Sequence, residues 1–176
     1  MDLSGLFQKR KQKLYVGYDH YADGPYYEGL RRLYTSLFEF PRDNSLEREL
    51  DGDDAAGFVQ RTEKAMADCS GAIILCGACS EQSKFVDWEI KAALDARLSL
   101  IGIILPTNPY DALGKPRLPE RFQVNFDSGF AVICRWEEIS LAQVDLGARL
   151  RFAREQSPEL IDNSLPLRRQ NGKKPE

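Results

Sequence analysis

The sequence has a single histidine and four cysteines in 176 residues. That scarcity excludes most structural metal chemistry. Cys69, Cys76, Cys79 and Cys134 lack the paired spacing of a zinc ribbon, and His20 alone cannot complete a finger. Long apolar runs are missing too. The longest, Ser99 to Leu105, is far too short to span a bilayer, and Met1 to Lys13 lacks the apolar centre of a signal peptide. A cytoplasmic protein with no membrane partner is therefore expected. Neither sign of charge dominates: 24 basic residues against 27 acidic ones leave a net charge of −3, with no basic stripe broad enough for a nucleic-acid duplex. A Gly-rich phosphate loop of the Rossmann or Walker kind is absent as well, which argues against a tightly held dinucleotide cofactor.

What is present fits one domain with a proper core. Residues 1–12, with the basic stretch QKRKQK, read as a loose leader, and residues 157–176, polar and interrupted by proline, read as a flexible tail. Between them, over 13–156, apolar runs of strand length alternate with stretches of helical period. That alternation is the mark of a parallel sheet covered on both faces.

The spacing predicts a first strand over Lys13 to Tyr18, then a helix from about Pro25 capped by Asp23, with Tyr27, Leu30, Tyr34 and Leu37 on one face. A short strand around Leu37 to Phe40 follows, stopped by Pro41. Asp53 and Asp54 open a second helix in which Phe58, Thr62, Ala65, Met66 and Cys69 recur. Gly71 to Cys76 has no polar alternation and reads as a central strand, followed by a helix from Ser83 to about Ala96. Leu100 to Leu105 and Phe130 to Trp136 complete five strands, and the proline-rich segment between them has room for a short helix. Ser140 with Gln143 makes a capping box for a last helix. Right-handed crossovers then favour an α/β, flavodoxin-like sandwich with five parallel strands in the order 2-1-3-4-5, which gathers ligands at the carboxyl ends of its strands.

Cys76 and Cys79 form a CxxC, the spacing of a thioredoxin-like redox pair. The plainer reading makes them small residues where a buried strand turns into a loop. A phosphoacceptor aspartate at the end of the third strand would indicate a response-regulator receiver, but that strand ends in Cys76-Gly77.

One residue breaks the pattern. On the helix that starts near Ser83, a wheel places Asp87, Lys91 and Asp95 on a polar face and Glu89 among Phe85, Val86, Trp88, Ala92 and Ala93. An unpaired carboxylate there is costly to desolvate. Either it reaches out to solvent or to an arginine such as Arg97 or Arg121, or it serves a substrate at the ligand-binding edge.

Three segments carry a resemblance to a known family: LYVGYDH at 14–20, GAIILCG at 71–77 and SKFVDWEIKAAL at 83–94. Over roughly 13–136 the chain resembles the TIR-like domains of the Thoeris ThsB family of bacterial antiviral defence. TIR enzymes often show a serine, an aromatic two positions on, and a glutamate four positions after that; Ser83, Phe85 and Glu89 keep this spacing, with Phe85 where many TIR enzymes carry tryptophan. The resemblance implies that Glu89 is catalytic and that NAD is a substrate, cleaved to nicotinamide and an ADP-ribose or cyclic ADP-ribose type signal for a downstream effector. It also implies that Tyr18, Asp19, His20, Gly77, Ser83 and Phe85 line the nucleotide pocket and that the domain can self-associate. Four of these have a structural reading beside this one: Tyr18 ends a strand, Asp19 forms a turn, His20 sits in an exposed loop and Ser83 caps a helix, while Trp88, next to Glu89, belongs to the core. Two other functions fit the same fold, a non-catalytic TIR-like interaction module and a nucleoside deoxyribosyltransferase-like enzyme.

Overall fold

The computed structural model describes residues 11–41 and 54–172. The expected leader up to residue 10 and the helix-opening Asp53 lie outside these. Five strands form one sheet: β1 (Gln12–Gly17), β2 (Phe38–Glu39), β3 (Gly71–Cys76), β4 (Leu100–Ile104) and β5 (Val132–Arg135). All pairs are parallel, and the order is 2-1-3-4-5. The chain thus has the α/β fold that its alternating pattern predicts.

Alternation along the strands separates two cores. Leu14 and Val16 of β1, Ile73 and Leu75 of β3, and Ile101 and Ile103 of β4 face α1 (His20–Tyr34), α5 (Trp136–Ser140) and α6 (Leu146–Arg154) through Tyr27, Leu30, Ile139, Leu146 and Leu150. Tyr15, Ala72, Ile74, Cys76 and Leu100 face the other way. They meet α2 (Ala55–Met66), α3 (Lys84–Asp95) and α4 (Glu120–Asp127) through Phe58, Met66, Val86, Trp88 and Phe122. The continuously apolar β3 and β4 are therefore buried on both faces.

Local chemistry sets the helix starts. Ser83 caps α3 by accepting from the backbone N–H of Val86, and Asp54 caps α2 by accepting from that of Gly57. The start of α1 corrects the expectation. Asp19, not Asp23, is its cap, accepting from Ala22 N–H at 3.1 Å, so Asp23 falls inside the first turn and Pro25 inside the helix. The first turn had two candidate caps, and the earlier one lies where the chain leaves β1. Helix α1 ends at Tyr34, which leaves Leu37 exposed beyond it. The capping box at Ser140 is also corrected: Ser140 ends α5, Ala142 turns the chain with φ of 54°, and the last helix starts after Asp145, which accepts from Gly147 N–H at 2.8 Å.

A larger correction concerns the tail. Residues 161–172 pack as a strap along α3 and α4. Trp88 Nε1 donates to Arg168 O at 2.8 Å, Arg168 N–H donates to Asp87 Oδ2 at 2.9 Å, and Gly172 N–H donates to Gln82 O at 3.0 Å. Asn163 Nδ2 donates to Asp95 Oδ1 at 2.7 Å, while Ile161 and Leu167 join the core on that side. The hub is Arg121, with no exposed side-chain surface. Its Nε donates to Asp87 Oδ1 at 2.9 Å, and its other nitrogens donate to Asn163 Oδ1, Leu165 O and Pro166 O. All these partners are distant in sequence, which is why a polar, proline-broken segment reads locally as a tail.

Breaking a buried pair from one side leaves an uncompensated charge. Arg121→Ala should therefore destabilise the chain by about 3–5 kcal/mol in urea unfolding. A loss under about 1 kcal/mol, as for an exposed pair, would show that the strap contributes no organised packing.

Candidate active site

The carboxyl edge of the sheet is formed where β1 and β3 diverge into helices on opposite faces, α1 after β1 and α3 after β3. Such a switch point opens a crevice between the two strands. Glu89 reaches it from α3. The residue is 3% exposed, and its Oε1 accepts from the Tyr15 hydroxyl at 2.7 Å. Two residues along β1, on the same face, Gly17 lies against the carboxyl group: a Cβ there would stand 2.8 Å from Oε2. Glycine at 17 is thus what lets the carboxylate lie flat on the strand. Arg121, one of the arginines weighed as a partner for Glu89, pairs instead with Asp87 on the opposite side of the helix.

The other expected residues fall into three groups. Tyr18, Asp19 and His20 occupy the turn from β1 into α1. The Tyr18 ring lies between two others, stacked on His20 at 3.8 Å and on Tyr27 at 4.5 Å, with interplanar angles of 10° and 14°. Asp19 spends its carboxylate on the cap of α1. Gly77 closes β3, its carbonyl accepting from Ser80 Oγ at 3.1 Å. Ser83 is buried as the α3 cap, and Phe85 packs with Phe58 and Trp88 in a cluster of rings 5.3–5.6 Å apart.

Three residues of this edge were not expected from the sequence: Tyr15, Gly17 and Asp23. Asp23 is fully buried on the α1 side, and a Cβ on Gly77 would collide with its carboxyl group. The backbone N–H of Asp19 relieves the charge only weakly, and neither oxygen has a hydrogen bond of good geometry. Burial first, and the Asp19 charge second, push its pKa from 3.8 up to about 7. Like Glu89, Asp23 is a carboxylate on an apolar face, sharing the buried stripe of α1 with Tyr27 and Leu30.

All four cysteines are thiols, with no disulfide between them. Burial pushes the Cys76 thiol strongly up, with the Asp23 charge adding to it, whereas a redox-active cysteine needs its thiolate favoured. Cys69 and Cys134 are pushed up to about 11 by the same cause. Among the described residues no group of three or more His, Cys, Asp and Glu side chains could hold a metal ion, and no helix is long and apolar enough to cross a membrane.

A doubly covered parallel sheet of this order, with a buried glutamate on the helix after its third strand, is consistent with a TIR-like α/β domain. The family model described as "Thoeris protein ThsB, TIR-like domain" matches residues 15–110, more than half of the chain, and the chain belongs to that family. It is a TIR-like module of Thoeris antiviral defence, a role exercised together with other proteins. No curated protein matches it. The matched span includes Tyr15, Asp23, Gly77 and Glu89 and ends before α4, so Arg121 and the strap lie beyond it.

Asp23 gives a signed prediction. Its folded pKa lies above the unfolded value, so the stability present below pH 3.8 is lost as pH rises towards 7. Asp23→Asn should therefore gain on the parent progressively between those pH values and hold a constant advantage above them. Parallel unfolding curves across pH 4–8, with no growing gap, would contradict this burial-driven shift.

Proposed function

We propose that this domain cleaves the bond between nicotinamide and ribose in NAD, with Glu89 as the catalytic residue. The product is an ADP-ribose or cyclic ADP-ribose type molecule that carries the signal to a downstream effector. NAD is thus a substrate and no bound cofactor is required. The observation that carries this reading is a carboxylate buried at the switch point between β1 and β3, held by the Tyr15 hydroxyl and seated on Gly17.

The chemistry suits that arrangement. When the bond between ribose C1′ and the pyridinium nitrogen breaks, its electron pair leaves with nicotinamide, which departs neutral and needs no proton. Positive charge grows on the ribose, and a carboxylate held in place before the reaction stabilises the transition state more than the ground state. Water or another nucleophile of the same substrate then closes the reaction, as in glycoside hydrolysis. Tyr15 supplies one hydrogen bond to keep Glu89 oriented, and the low exposure strengthens the electrostatic effect. Tyr18 and His20 are the surfaces for the nicotinamide end, Gly77 and Ser83 border the same edge, and self-association through the helices remains part of the reading.

The test is Glu89→Gln, which keeps an acceptor for the Tyr15 hydroxyl while removing the charge. Nicotinamide release should fall by about 100-fold or more under conditions where the parent is active. Thermal stability should hold or rise, since a desolvated carboxylate retained for chemistry costs stability. Unchanged nicotinamide release would remove Glu89 from the mechanism.

A further inference from the structure

The switch point between β1 and β3 has a carboxyl on each face of the sheet, and the proposed reaction employs only one. Glu89 approaches from the α3 face of the sheet and Asp23 from the α1 face. Aspartate is a poor choice for packing at Asp23. The side chain has no exposed surface, both oxygens lack a well-formed hydrogen bond, and Asp19 is close enough to add repulsion. A buried polar group in that condition is costly unless a partner arrives.

We propose that Asp23 is a specificity-determining residue of the ligand site, accepting a hydrogen bond from the amide or amino N–H on the planar, cationic ring of the substrate. The inference rests on the NAD-cleaving reading and identifies the end of the substrate that the α1 side recognises.

Three observations fix the chemistry. First, Asp23 stands one turn from Tyr27 and one turn from His20 on α1, beside the stack in which Tyr18 carries a ring on each face. His20 is the partly exposed outer layer, parallel to Tyr18 at the spacing an aromatic ligand would adopt. A ligand ring that takes the place of His20 on Tyr18 brings its substituent to the Asp23 side. Second, Gly77 gives the carboxyl its room at the end of β3, because any side chain there would drive into Asp23. Third, Asp19 and Asp23 together make this side of the crevice acidic, which suits a pyridinium ring and opposes an anionic substituent. A metal ion is a poorer occupant, since among the described residues no third ligand joins them.

A carboxamide and a carboxylate on the same ring should therefore be told apart here. The experiment uses the full chain carrying Glu89→Gln, so that bound dinucleotide is not consumed. Calorimetry at pH 8, above the Asp23 pKa of about 7, then compares NAD with nicotinic acid adenine dinucleotide, which differs in having a carboxylate for the carboxamide. The Glu89→Gln chain should prefer NAD by about 30-fold or more, and adding Asp23→Asn should reduce that preference to within about threefold. The Asn side chain can donate to the carboxylate that Asp23 repels. Adding Asp23→Ala should reduce the preference as well, chiefly by weakening NAD. A preference unchanged in both variants, with NAD still bound, would overturn the role of Asp23 alone. Failure of the Glu89→Gln chain itself to bind NAD would overturn the NAD-cleaving reading and this inference with it.

Discussion

The structure depends on how one helix is held. Asp87 and Glu89 lie two residues apart on α3, so they point to nearly opposite sides of it. Each is buried, and each meets a specific donor: Arg121 on the outer side, the Tyr15 hydroxyl on the inner side. The outer contact draws in the strap through Arg168, Asn163 and the carbonyls of Leu165 and Pro166. The inner contact sets the carboxylate on Gly17. Rotation of α3 about its axis would break both at once, so each contact limits the motion that would misplace the other.

The same logic explains two glycines. Gly17 and Gly77 end neighbouring strands and face opposite sides of the sheet, and each lies against a carboxyl group from the helix covering its face. Both carboxyls are buried for lack of a Cβ beneath them. Only Glu89 is matched by the tyrosine of its own strand face, while Asp23 keeps the electrostatic cost of burial in its raised pKa. An arrangement optimised for stability alone would favour uncharged residues at both positions.

Much of this was legible in the sequence because it is local. The apolar runs of β3 and β4, the cap at Ser83 and the wheel position of Glu89 follow from periodicity and short-range chemistry, as does the sheet order given the crossover rule. What escaped depends on choices between near-equivalent signals or on distant partners. Asp19 and Asp23 both suit a helix cap, and a capping role for Asp23 is incompatible with the burial it has inside the first turn. Tyr15 looks like any strand aromatic until Glu89, 74 positions later, lies against it. The strap has no period, and its polar backbone finds its place through partners distant in sequence, Arg121, Trp88, Asp87, Gln82 and Asn125. Among the expected site residues, Tyr18 and His20 come together in one stack, whereas Phe85 belongs to the ring cluster with Phe58 and Trp88.

Membership of the Thoeris ThsB TIR-like family gives the buried glutamate a biological setting, and the geometry of its surroundings gives it a chemical one. The central claim is spatial: a ribose must come to rest against Glu89 with its nicotinamide towards Tyr18 and the α1 side. A crystal structure of the Glu89→Gln chain with NAD tests that most directly. The account predicts C1′ of the nicotinamide ribose within contact distance of the residue 89 side chain, above Tyr15 and Gly17. NAD bound at any other edge of the sheet, with residue 89 still enclosed by protein, would contradict it.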